Sequence, residues 1–236
     1  MRVLMIIPAY NEELNIVNTV NSIKEYKTKK LDYVVVNDGS LDNTRQVLIE
    51  NKINHIDLVN NLGIGGAVQT GYKYAYYNNY DIAIQFDGDG QHDINYVYKL
   101  IDAIEKEGYD MAVGSRFIGD DSNFKSTQVR RIGINILSFV IKILTGKKIK
   151  DTTSGYRAVN KKIIEKFAFD YVLEYPEPIT NLQVIEDGYK VKEVSVGMRE
   201  RKFGKSSITF YKSIYYMLNV GLTMIIFGVG GRKDGI

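Results

Sequence analysis

The feature that most constrains the fold is an alternation of short apolar runs with segments of helical spacing through the first half of the chain. Runs of this length without polar alternation are typical of strands buried on both faces. Between them, apolar residues recur every three to four positions, as on one face of a helix. This βαβα succession predicts an α/β fold with a mainly parallel central sheet flanked by helices. The predicted strands are Val3 to Ile7, Tyr33 to Val36, His55 to Val59, Ile82 to Phe86 and Met111 to Val113.

The alternation ends after Gly114, where a polar stretch from Ser115 to Ser126 begins. Apolar spacing predicts a helix from Val129 to Leu144, and a more mixed arrangement follows it. Two further helices and one strand are predicted there: Lys161 to Phe167, Ile179 to Glu186 and Lys190 to Val196. Since no repeat, low-complexity tract or linker interrupts the chain, we expect one domain over residues 1–205 and a tail over residues 206–236.

The tail has the most unusual composition, because aromatic residues precede an apolar run between Ser206 and Val229. Its apolar part, Ile214 to Val229, is shorter than the ~20 residues that span a bilayer, and it contains Asn219 and Gly221. We therefore predict an amphipathic helix that lies at a membrane interface or packs on a membrane partner. The alternative is a C-terminal core helix.

Composition excludes other classes of protein. The absence of cysteine rules out disulfides and thiolate metal sites and is compatible with a reducing compartment. A net charge of +3 with 25% charged residues gives no general nucleic-acid footprint. The apolar run at the N-terminus is too short for a signal-peptide core and ends at Pro8 without a small-residue cleavage site.

The strongest local signal is the sequence Phe-Asp-Gly-Asp-Gly-Gln-His at residues 86–92, directly after the fourth predicted strand. Ligands of open α/β sheets bind at the carboxyl ends of the strands. Asp87 and Asp89 can offer oxygens to a hard divalent cation, and Gln91 can add a neutral oxygen. An Asp-Gly turn without function is the alternative, whereas a calcium EF-hand is excluded because Tyr98 stands where its glutamate is needed. His92 is interpreted as a packing or supporting group.

Two other motifs follow the first and second predicted strands, Pro8 to Glu13 and Asn37 to Ser40. Both fall on the same edge of a parallel sheet. Tyr10 can stack on a base, and Asp38 can accept hydrogen bonds from a base N–H or a ribose hydroxyl. Taken singly, the alternative interpretation of each is turn and helix-cap chemistry.

A glycine-rich segment follows the third predicted strand, with Gly63, Gly65 and Gly66 in a loop at the start of a helix. A phosphate can sit on such a helix N-terminus. The segment is not a P-loop, since Gly-Lys-Ser/Thr is absent, and Val68 stands where a dinucleotide fingerprint needs its third glycine.

Taken in order, these motifs resemble the family-2 glycosyltransferases with the GT-A fold. Later motifs resemble the branch that includes dolichyl-phosphate mannosyltransferase and bacterial polyprenyl-phosphate glycosyltransferases, so that the resemblance covers nearly the whole chain. The later motifs are Gly114-Ser115-Arg116, Asp151-Thr152-Thr153-Ser154-Gly155-Tyr156-Arg157 and Glu200-Arg201-Lys202-Phe203-Gly204-Lys205-Ser206.

The resemblance implies roles for individual residues. Mg²⁺ or Mn²⁺ on the donor diphosphate would be held by Asp87, Asp89 and Gln91. The nucleotide sugar would be bound by Pro8, Ala9, Tyr10, Glu12, Asp38, Gly65, Asp87 and Ser206. The acceptor phosphate would be bound by Arg130, Arg131, Ser154 and Arg157. Catalysis would depend on Asp89, Arg116, Arg131 and Arg201.

The implied function is inverting transfer of a hexosyl or N-acetylhexosaminyl group from a nucleotide diphosphate sugar, with UDP favoured, to polyprenyl (undecaprenyl) phosphate for cell-envelope glycans. We expect a peripheral enzyme at the cytoplasmic face of the membrane. The long transmembrane region of larger relatives is missing, which suggests attachment through the tail, through homo-oligomerisation or through a small integral membrane protein. Ile179 stands where relatives often carry an acidic residue.

Three alternatives stay open. A sugar-hydroxyl acceptor in polysaccharide synthesis would require a carboxylate base, for which Asp151 and Glu177 are the candidates. A non-catalytic nucleotide-sugar-binding scaffold is a second alternative, against which the paired aspartates speak. A nucleotidyltransferase ranks last, because no glycine-rich, lysine-containing loop follows the first strand.

Overall fold

The computed structural model describes residues 1–119, 128–199, 219–224 and 226. Within these residues a seven-stranded sheet forms the centre of the fold. Its strands in chain order are β1 (Val3–Ala9), β2 (Asp32–Asn37), β3 (His55–Asp57), β4 (Ile82–Gln85), β5 (Met111–Ser115), β6 (Arg157–Asn160) and β7 (Val191–Ser195). The spatial order is β3-β2-β1-β4-β6-β5-β7.

Helices connect most of these strands and cover both faces of the sheet. They are α1 (Ile16–Lys24), α2 (Thr44–Glu50), α3 (Gly63–Tyr77), α4 (Val97–Glu105), α5 (Gln128–Thr145), α6 (Lys161–Phe169) and α7 (Pro176–Glu186), with a 3₁₀ turn at Ile94–Tyr96 before α4. Residues 219–224 are also helical.

The sheet is mainly parallel, as predicted. β1 pairs in parallel with β2 and β4, β2 with β3, and β5 with β7. β6 runs antiparallel to both of its neighbours, β4 and β5. Because β1, β2 and β4 are parallel, the segments that follow them meet at one edge of the sheet. The motifs at residues 8–13, 37–40 and 86–92 therefore lie at this edge.

Two elements were not predicted. α2 buries only Thr44 and Leu48, so its apolar face is too weak to give a clear helical pattern. β6 has four residues and begins and ends with Arg157 and Asn160, so its composition is not that of a buried strand. Both elements are fixed by what packs around them, since β6 fills the position between β4 and β5.

The core lies in two layers against the sheet. One layer packs α1 and α4 against β1 and β4, with Ile16, Val20 and Leu100 fully buried. The other packs α3 and α6 together, and there Tyr72 meets Phe167 with ring centroids 5.1 Å apart. β1 is buried at every position, as expected for the central strand of a covered sheet.

A third, smaller core forms between α5 and α7. Leu137 and Ile141 of α5 pack with Ile179 and Leu182 of α7, and Val220 and Met224 from the C-terminal helix join them. Ile179 therefore serves as a core residue.

The predicted single helix from Ser206 to Val229 lies mostly outside the described residues, so the division of the chain at residue 205 stays a prediction. Of the helices in the described residues, none combines the length and apolarity that crossing a membrane needs.

Candidate functional site

The loops after β1 and β2 are joined side by side at the sheet edge. The Asn11 N–H donates to Ser40 Oγ at 3.0 Å, and the Leu41 N–H donates to Asn11 Oδ1 at 2.8 Å. Asn11 has a φ of 56°, in the left-handed region that asparagine tolerates better than most residues. The two strand-end motifs thus form one surface.

Tyr10 and Glu12, both predicted to bind the nucleotide, differ in exposure within this surface. Tyr10 is 43% exposed, so that its ring is open for stacking. Glu12 is 8% exposed; its N–H donates to Thr44 Oγ1 at 2.9 Å, and its carboxylate accepts from Asn15 Nδ2 at 2.7 Å. Pro8 and Ala9 end β1, and both are buried.

Asp38 ties the loop after β2 to the start of α3. Its Oδ1 accepts from the Leu62 N–H at 2.7 Å, and its backbone oxygen accepts from Asn61 Nδ2 at 3.1 Å. Burial raises the pKa of Asp38, while hydrogen bonds from the Leu62 and Gly63 N–H groups act in the opposite direction. Next to it, Gly39 has a φ of +63°, and a Cβ there would stand 2.7 Å from the Asn61 nitrogen. This corner requires glycine.

The glycine-rich segment is more helical than expected. α3 begins at Gly63, so Gly63, Gly65 and Gly66 lie in its first turn instead of in a loop. A Cβ on Gly65 would stand 2.2 Å from the Leu173 carbonyl oxygen. Gly65 is therefore explained by close packing of α3 against the chain at Leu173, and the side of Gly65 where a side chain would stand is not open to a phosphate.

The segment after β4 forms a tight turn that carries both aspartates. The Asp87 N–H donates to His92 Nδ1 at 3.0 Å, and Asp89 Oδ1 accepts from the Gln91 N–H at 3.0 Å. The Asp87 side chain is 35% exposed, and Asp89 and Gln91 are partly exposed. Both carboxylates are thus held at the carboxyl end of β4 and reach the surface.

His92 is a buried packing group that supports this turn, as predicted. Its ring stacks on Tyr156 with centroids 4.6 Å apart and meets Phe86 edge to face at 5.5 Å. Burial lowers the pKa of His92 to about 4, although the charge of Asp89 raises it. The ring is therefore neutral at pH 7, in accord with Nδ1 acting as a hydrogen-bond acceptor.

A metal ion fits the residues at this turn. A Cβ on Gly155 would stand 3.2 Å from both carboxylate oxygens of Asp87, so glycine preserves open space beside them. Two carboxylates and an amide form a hard oxygen donor set of the kind that Mg²⁺ and Mn²⁺ prefer. Among the described residues no group of three acidic or histidine side chains could hold a metal alone. An ion here would need further ligands from a bound diphosphate or water.

Asp89 also borders a small cavity of about 80 Å³ on the α1 side of the turn. Thr19, His92 and Arg199 line it as well, and Asp87 is not among its lining residues. Arg199 is tied to this region because its N–H donates to the Gln91 carbonyl at 2.8 Å.

Arg116 forms a buried ion pair with Asp151. Its Nε donates to Asp151 Oδ2 at 2.7 Å and its Nη2 to Oδ1 at 2.6 Å. The backbone N–H of Arg116 adds a third bond to Oδ2 at 2.9 Å, and Nη2 also reaches Thr153 Oγ1 at 3.0 Å. Arg116 is 4% exposed and Asp151 0%. In this arrangement the Arg116 guanidinium is occupied by residues of this protein. The Asp151 carboxylate is not accessible to a substrate and therefore cannot act as a base.

Arg130 and Arg131 lie in the first turn of α5, and both are exposed. The Arg131 guanidinium lies 3.8 Å from the centroid of the Phe117 ring, and the Arg116 guanidinium lies 5.4 Å from the same centroid. Phe117 therefore links the start of α5 to the buried ion pair.

Arg157 and Ser154 lie deeper than expected for acceptor ligands. Arg157 is fully buried, its Nε and Nη2 donate to the Ser154 carbonyl, and its Nη1 donates to Thr180 Oγ1 at 2.6 Å. Ser154 is 4% exposed. An acceptor-binding role for Arg157 does not fit this position, because no part of the side chain reaches the surface.

Glu177 lies in the first turn of α7 and interacts electrostatically with Arg157. Burial raises the pKa of Glu177, whereas the charge of Arg157 and a hydrogen bond from Gln85 lower it, and the charge of Asp87 raises it. Gln85 also donates to Asp87 Oδ1 at 3.4 Å. Gln85 was not predicted as a site residue, although a polar residue inside the apolar strand β4 was a signal that could have identified it.

The predicted site residues Arg201 and Ser206 lie outside the described residues.

Comparison with known proteins shows the family to which the chain belongs. The chain matches the profile of glycosyl transferase family 2 over residues 5–168. The UDP-N-acetylglucosamine–dolichyl-phosphate N-acetylglucosaminyltransferase of Methanococcus voltae is 35% identical over 181 residues, which cover 69% of this chain and 71% of that protein. The polyprenol monophosphomannose synthase of Mycolicibacterium smegmatis is 27% identical over 99% of this chain and 89% of that protein.

The fold is also that of a solved glycosyltransferase. The crystal structure of glucosyl-3-phosphoglycerate synthase from Mycobacterium tuberculosis, in complex with Mn²⁺, UDP and glucosyl-3-phosphoglycerate, superposes with a TM-score of 0.73 at 17% identity. The match covers 97% of this chain and 80% of that one, which confirms the predicted GT-A-like fold. Because the family profile spans well over half of the chain and the fold agrees, this protein belongs to glycosyl transferase family 2 and is a glycosyltransferase.

Proposed function

We propose that this enzyme transfers a sugar, with inversion, from a nucleotide diphosphate sugar to polyprenyl phosphate at a membrane surface. The names of the two relatives, with dolichyl phosphate and polyprenol as acceptors, support the acceptor class. The Methanococcus voltae relative is named for a UDP-sugar, which supports UDP in the donor. The geometric observation that carries the proposal is the complete engagement of Asp151 by Arg116, which leaves Glu177 as the remaining candidate base for the hydroxyl-acceptor alternative.

The donor nucleotide would lie across the joined loops after β1 and β2. Tyr10 offers an exposed ring to the base, and the neighbouring loop is rigid because Asp38 is bonded to the start of α3. When loops are preorganised in this way, binding loses little free energy in ordering them. Arg201 and Ser206 are proposed, from the family resemblance, to contact the donor phosphates.

The donor diphosphate would lie at the turn after β4. A bound Mg²⁺ or Mn²⁺ would stabilise negative charge on the departing diphosphate. Asp87 and Asp89 would hold that ion, with Gln91 as a neutral donor. The stacked His92 and Tyr156 keep the turn in place, and Gly155 leaves space next to Asp87.

The acceptor phosphate would be bound by the exposed pair Arg130 and Arg131. A guanidinium offers bidentate donors to phosphate oxygens and keeps its charge at any relevant pH. Phe117 holds the Arg131 guanidinium over its ring. Arg116 acts as a positioning residue, because its buried pair with Asp151 fixes the backbone from which Phe117 projects.

In the reaction, a phosphate oxygen of the acceptor attacks the anomeric carbon as the bond from that carbon to the diphosphate oxygen breaks. The products are a glycosyl phosphopolyprenol and a nucleoside diphosphate. A phosphate monoester has a second pKa near 6, so it is already largely dianionic at pH 7 and needs no general base. A hydroxyl acceptor would need a base, and Asp151 is unavailable because it is buried and both of its oxygens accept from Arg116.

The test is a transfer assay on the full-length protein with Mg²⁺, undecaprenyl phosphate and a panel of UDP- and GDP-sugars, with lipid products read by mass spectrometry. We expect a glycosyl phospholipid from at least one UDP-sugar. Glu177→Gln should retain transfer, since the phosphate acceptor needs no base. Transfer only to sugar hydroxyls, lost in Glu177→Gln with donor binding intact, would establish the hydroxyl-acceptor alternative instead.

Donor binding without any transfer would favour the scaffold alternative. Attachment at the cytoplasmic face, homo-oligomerisation and a small integral membrane partner stay predictions, and they are tested by cell fractionation and by the mass of the purified assembly.

A further inference from the structure

We propose that α5 docks the enzyme on an anionic bilayer surface through an exposed apolar stripe, an inference that rests on the proposed lipid acceptor. The stripe consists of Ile132, Ile136, Phe139 and Ile143 and is called the α5 stripe below. The C-terminal tail, which is predicted above to contact a membrane, lies mostly outside the described residues, and the α5 stripe is a separate surface in the catalytic part of the chain.

The four side chains form one face of the helix. They are 59%, 52%, 62% and 64% exposed in chain order. At about 100° per residue they fall within roughly 60° of arc. The opposite face carries Leu137 and Ile141, both fully buried in the core with α7. α5 is therefore apolar on two faces. Among the described residues, one face packs in the core with α7 and the other is exposed.

The charge of this region complements an anionic surface. From residue 128 to residue 150 the sequence contains no Asp or Glu. It contains six basic residues: Arg130, Arg131, Lys142, Lys147, Lys148 and Lys150. An exposed apolar face bordered by Lys and Arg is the pattern of helices that lie in the plane of a membrane interface. Basic residues near an anionic leaflet strengthen binding by electrostatic attraction.

The α5 stripe is continuous with the proposed acceptor site. Ile132 directly follows Arg131, whose guanidinium lies on the Phe117 ring next to the Arg116–Asp151 pair. A polyprenyl phosphate has its chain in the bilayer and its phosphate at the surface. A helix lying at that surface would bring Arg130 and Arg131 to the depth of the phosphate.

A second copy of the chain is a poorer occupant of this face. A symmetric pairing of two α5 helices would bring basic residues of both copies together without any acidic residue between residues 128 and 150 to offset them. Like charges brought together oppose association. The same basic residues are attracted to anionic headgroups, so the charge pattern favours the membrane.

The test is cosedimentation of the full-length protein with vesicles of phosphatidylcholine alone and of phosphatidylcholine with phosphatidylglycerol. The variant Ile136→Ser/Phe139→Ser should bind anionic vesicles at least tenfold more weakly. The matched control is Ile49→Ser/Tyr77→Ser, which removes two exposed apolar side chains from α2 and α3 and should bind like the wild type. The charge variant Lys147→Glu/Lys148→Glu should lose binding to anionic vesicles and leave binding to neutral ones unchanged.

Unchanged vesicle binding by the α5 variants would overturn the proposal. So would a wild-type dimer that the α5 variants dissociate while vesicle binding persists, because the stripe would then join two copies. Circular dichroism and thermal melting check that the variants fold.

An activity measurement separates this proposal from the proposed function. With a water-soluble short-chain isoprenyl phosphate, the α5 variants should keep wild-type transfer, and with undecaprenyl phosphate in vesicles they should lose most of it. If no isoprenyl phosphate is glycosylated but vesicle binding still depends on the stripe, the acceptor assignment fails and the docking surface remains.

Discussion

The donor side of the site and the charged cluster of the second half hold their polar groups in different ways. On the donor side, loop side chains bond to nearby backbone N–H groups, as Asn11 and Asp38 do, and the ion pair between Arg45 and Asp57 is exposed. In the second half, the Arg116–Asp151 pair is almost completely buried. The first arrangement leaves side chains such as Tyr10 open to a ligand, whereas the second uses charge to fix the backbone.

The difference teaches that similar motif matches can mark different roles. Arg116, Arg130, Arg131 and Arg157 were all nominated as binding or catalytic residues from the same resemblance. Only Arg130 and Arg131 are exposed, and Arg157 has no exposed surface. A buried ion pair is costly to break because the remaining charge is left unpaired.

The largest effect is expected at the open carboxylates. Asp87→Asn and Asp89→Asn should each lower kcat for transfer by about 10³-fold, because removing a preorganised electrostatic group costs roughly that much. The melting temperature should change little, since both side chains reach the surface. Asp102→Asn, which removes one partner of a surface pair with Lys106, is the control and should keep full activity. Full activity of the Asp87 and Asp89 variants would exclude the proposed ion site.

The next effect concerns the buried pair. Arg116→Ala should lower the free energy of unfolding by about 3–5 kcal/mol, because it leaves the Asp151 carboxylate buried without its main partner. The double variant Arg116→Ala/Asp151→Ala should recover part of the loss, since no unpaired charge remains. Urea denaturation measures all three proteins. A loss below about 1 kcal/mol in the single variant would mean that Asp151 finds solvent or another partner.

A smaller effect is expected where the donor loops meet. Gly39→Ala should cost about 2 kcal/mol, because it combines a positive φ with a Cβ placed 2.7 Å from the Asn61 nitrogen. Gly63→Ala is the matched control: its φ is +75°, but a Cβ there meets nothing within 4 Å. It should cost only the strain of the left-handed conformation, about 1 kcal/mol. Equal losses would show that the close approach to Asn61 is unimportant.

The smallest effect is expected at the exposed ion pair. Arg45→Ala should change the free energy of unfolding by no more than about 0.5 kcal/mol, which contrasts with Arg116→Ala. Partial burial raises the pKa of Asp57, whereas hydrogen bonds from Arg45 and Asn37 lower it. The lowering effects together are larger, so the net shift of this pKa is downward. The pair therefore stabilises the fold above the ordinary carboxyl pKa and loses this contribution as pH falls through the lowered value. Melting temperatures across that pH range, with and without Arg45, measure it.

Much of the fold was predictable because the first half obeys a simple period. Each predicted strand from Val3 to Val113 corresponds to an observed strand, with ends shifted by one or two residues. The helices predicted at Val129 to Leu144 and Lys161 to Phe167 are also observed, as α5 and α6. α2 and β6 were missed because neither carries enough apolar residues to be recognised locally, and both are stabilised by their neighbours in the fold.

The candidate site was predictable to the extent that it follows strand ends. The positions of Tyr10, Asp38 and Asp87 at one edge follow from parallel strands, whose carboxyl ends meet. The support beneath that edge was not predictable. Tyr156 lies far from His92 in the chain, and Glu177 lies far from Gln85, and no spacing rule connects these pairs.

The sequence by itself determined the α/β class, the order of the strand-end motifs and the hard-oxygen chemistry of Asp87 and Asp89, because these depend on local period and residue type. Only the tertiary structure decided which charged groups are buried and which remain open. Arg116 and Arg131 are both followed by a large apolar residue in the sequence, but one meets Asp151 in the interior and the other lies exposed on Phe117. Burial depends on distant segments that converge in space, and a one-dimensional pattern does not contain that information.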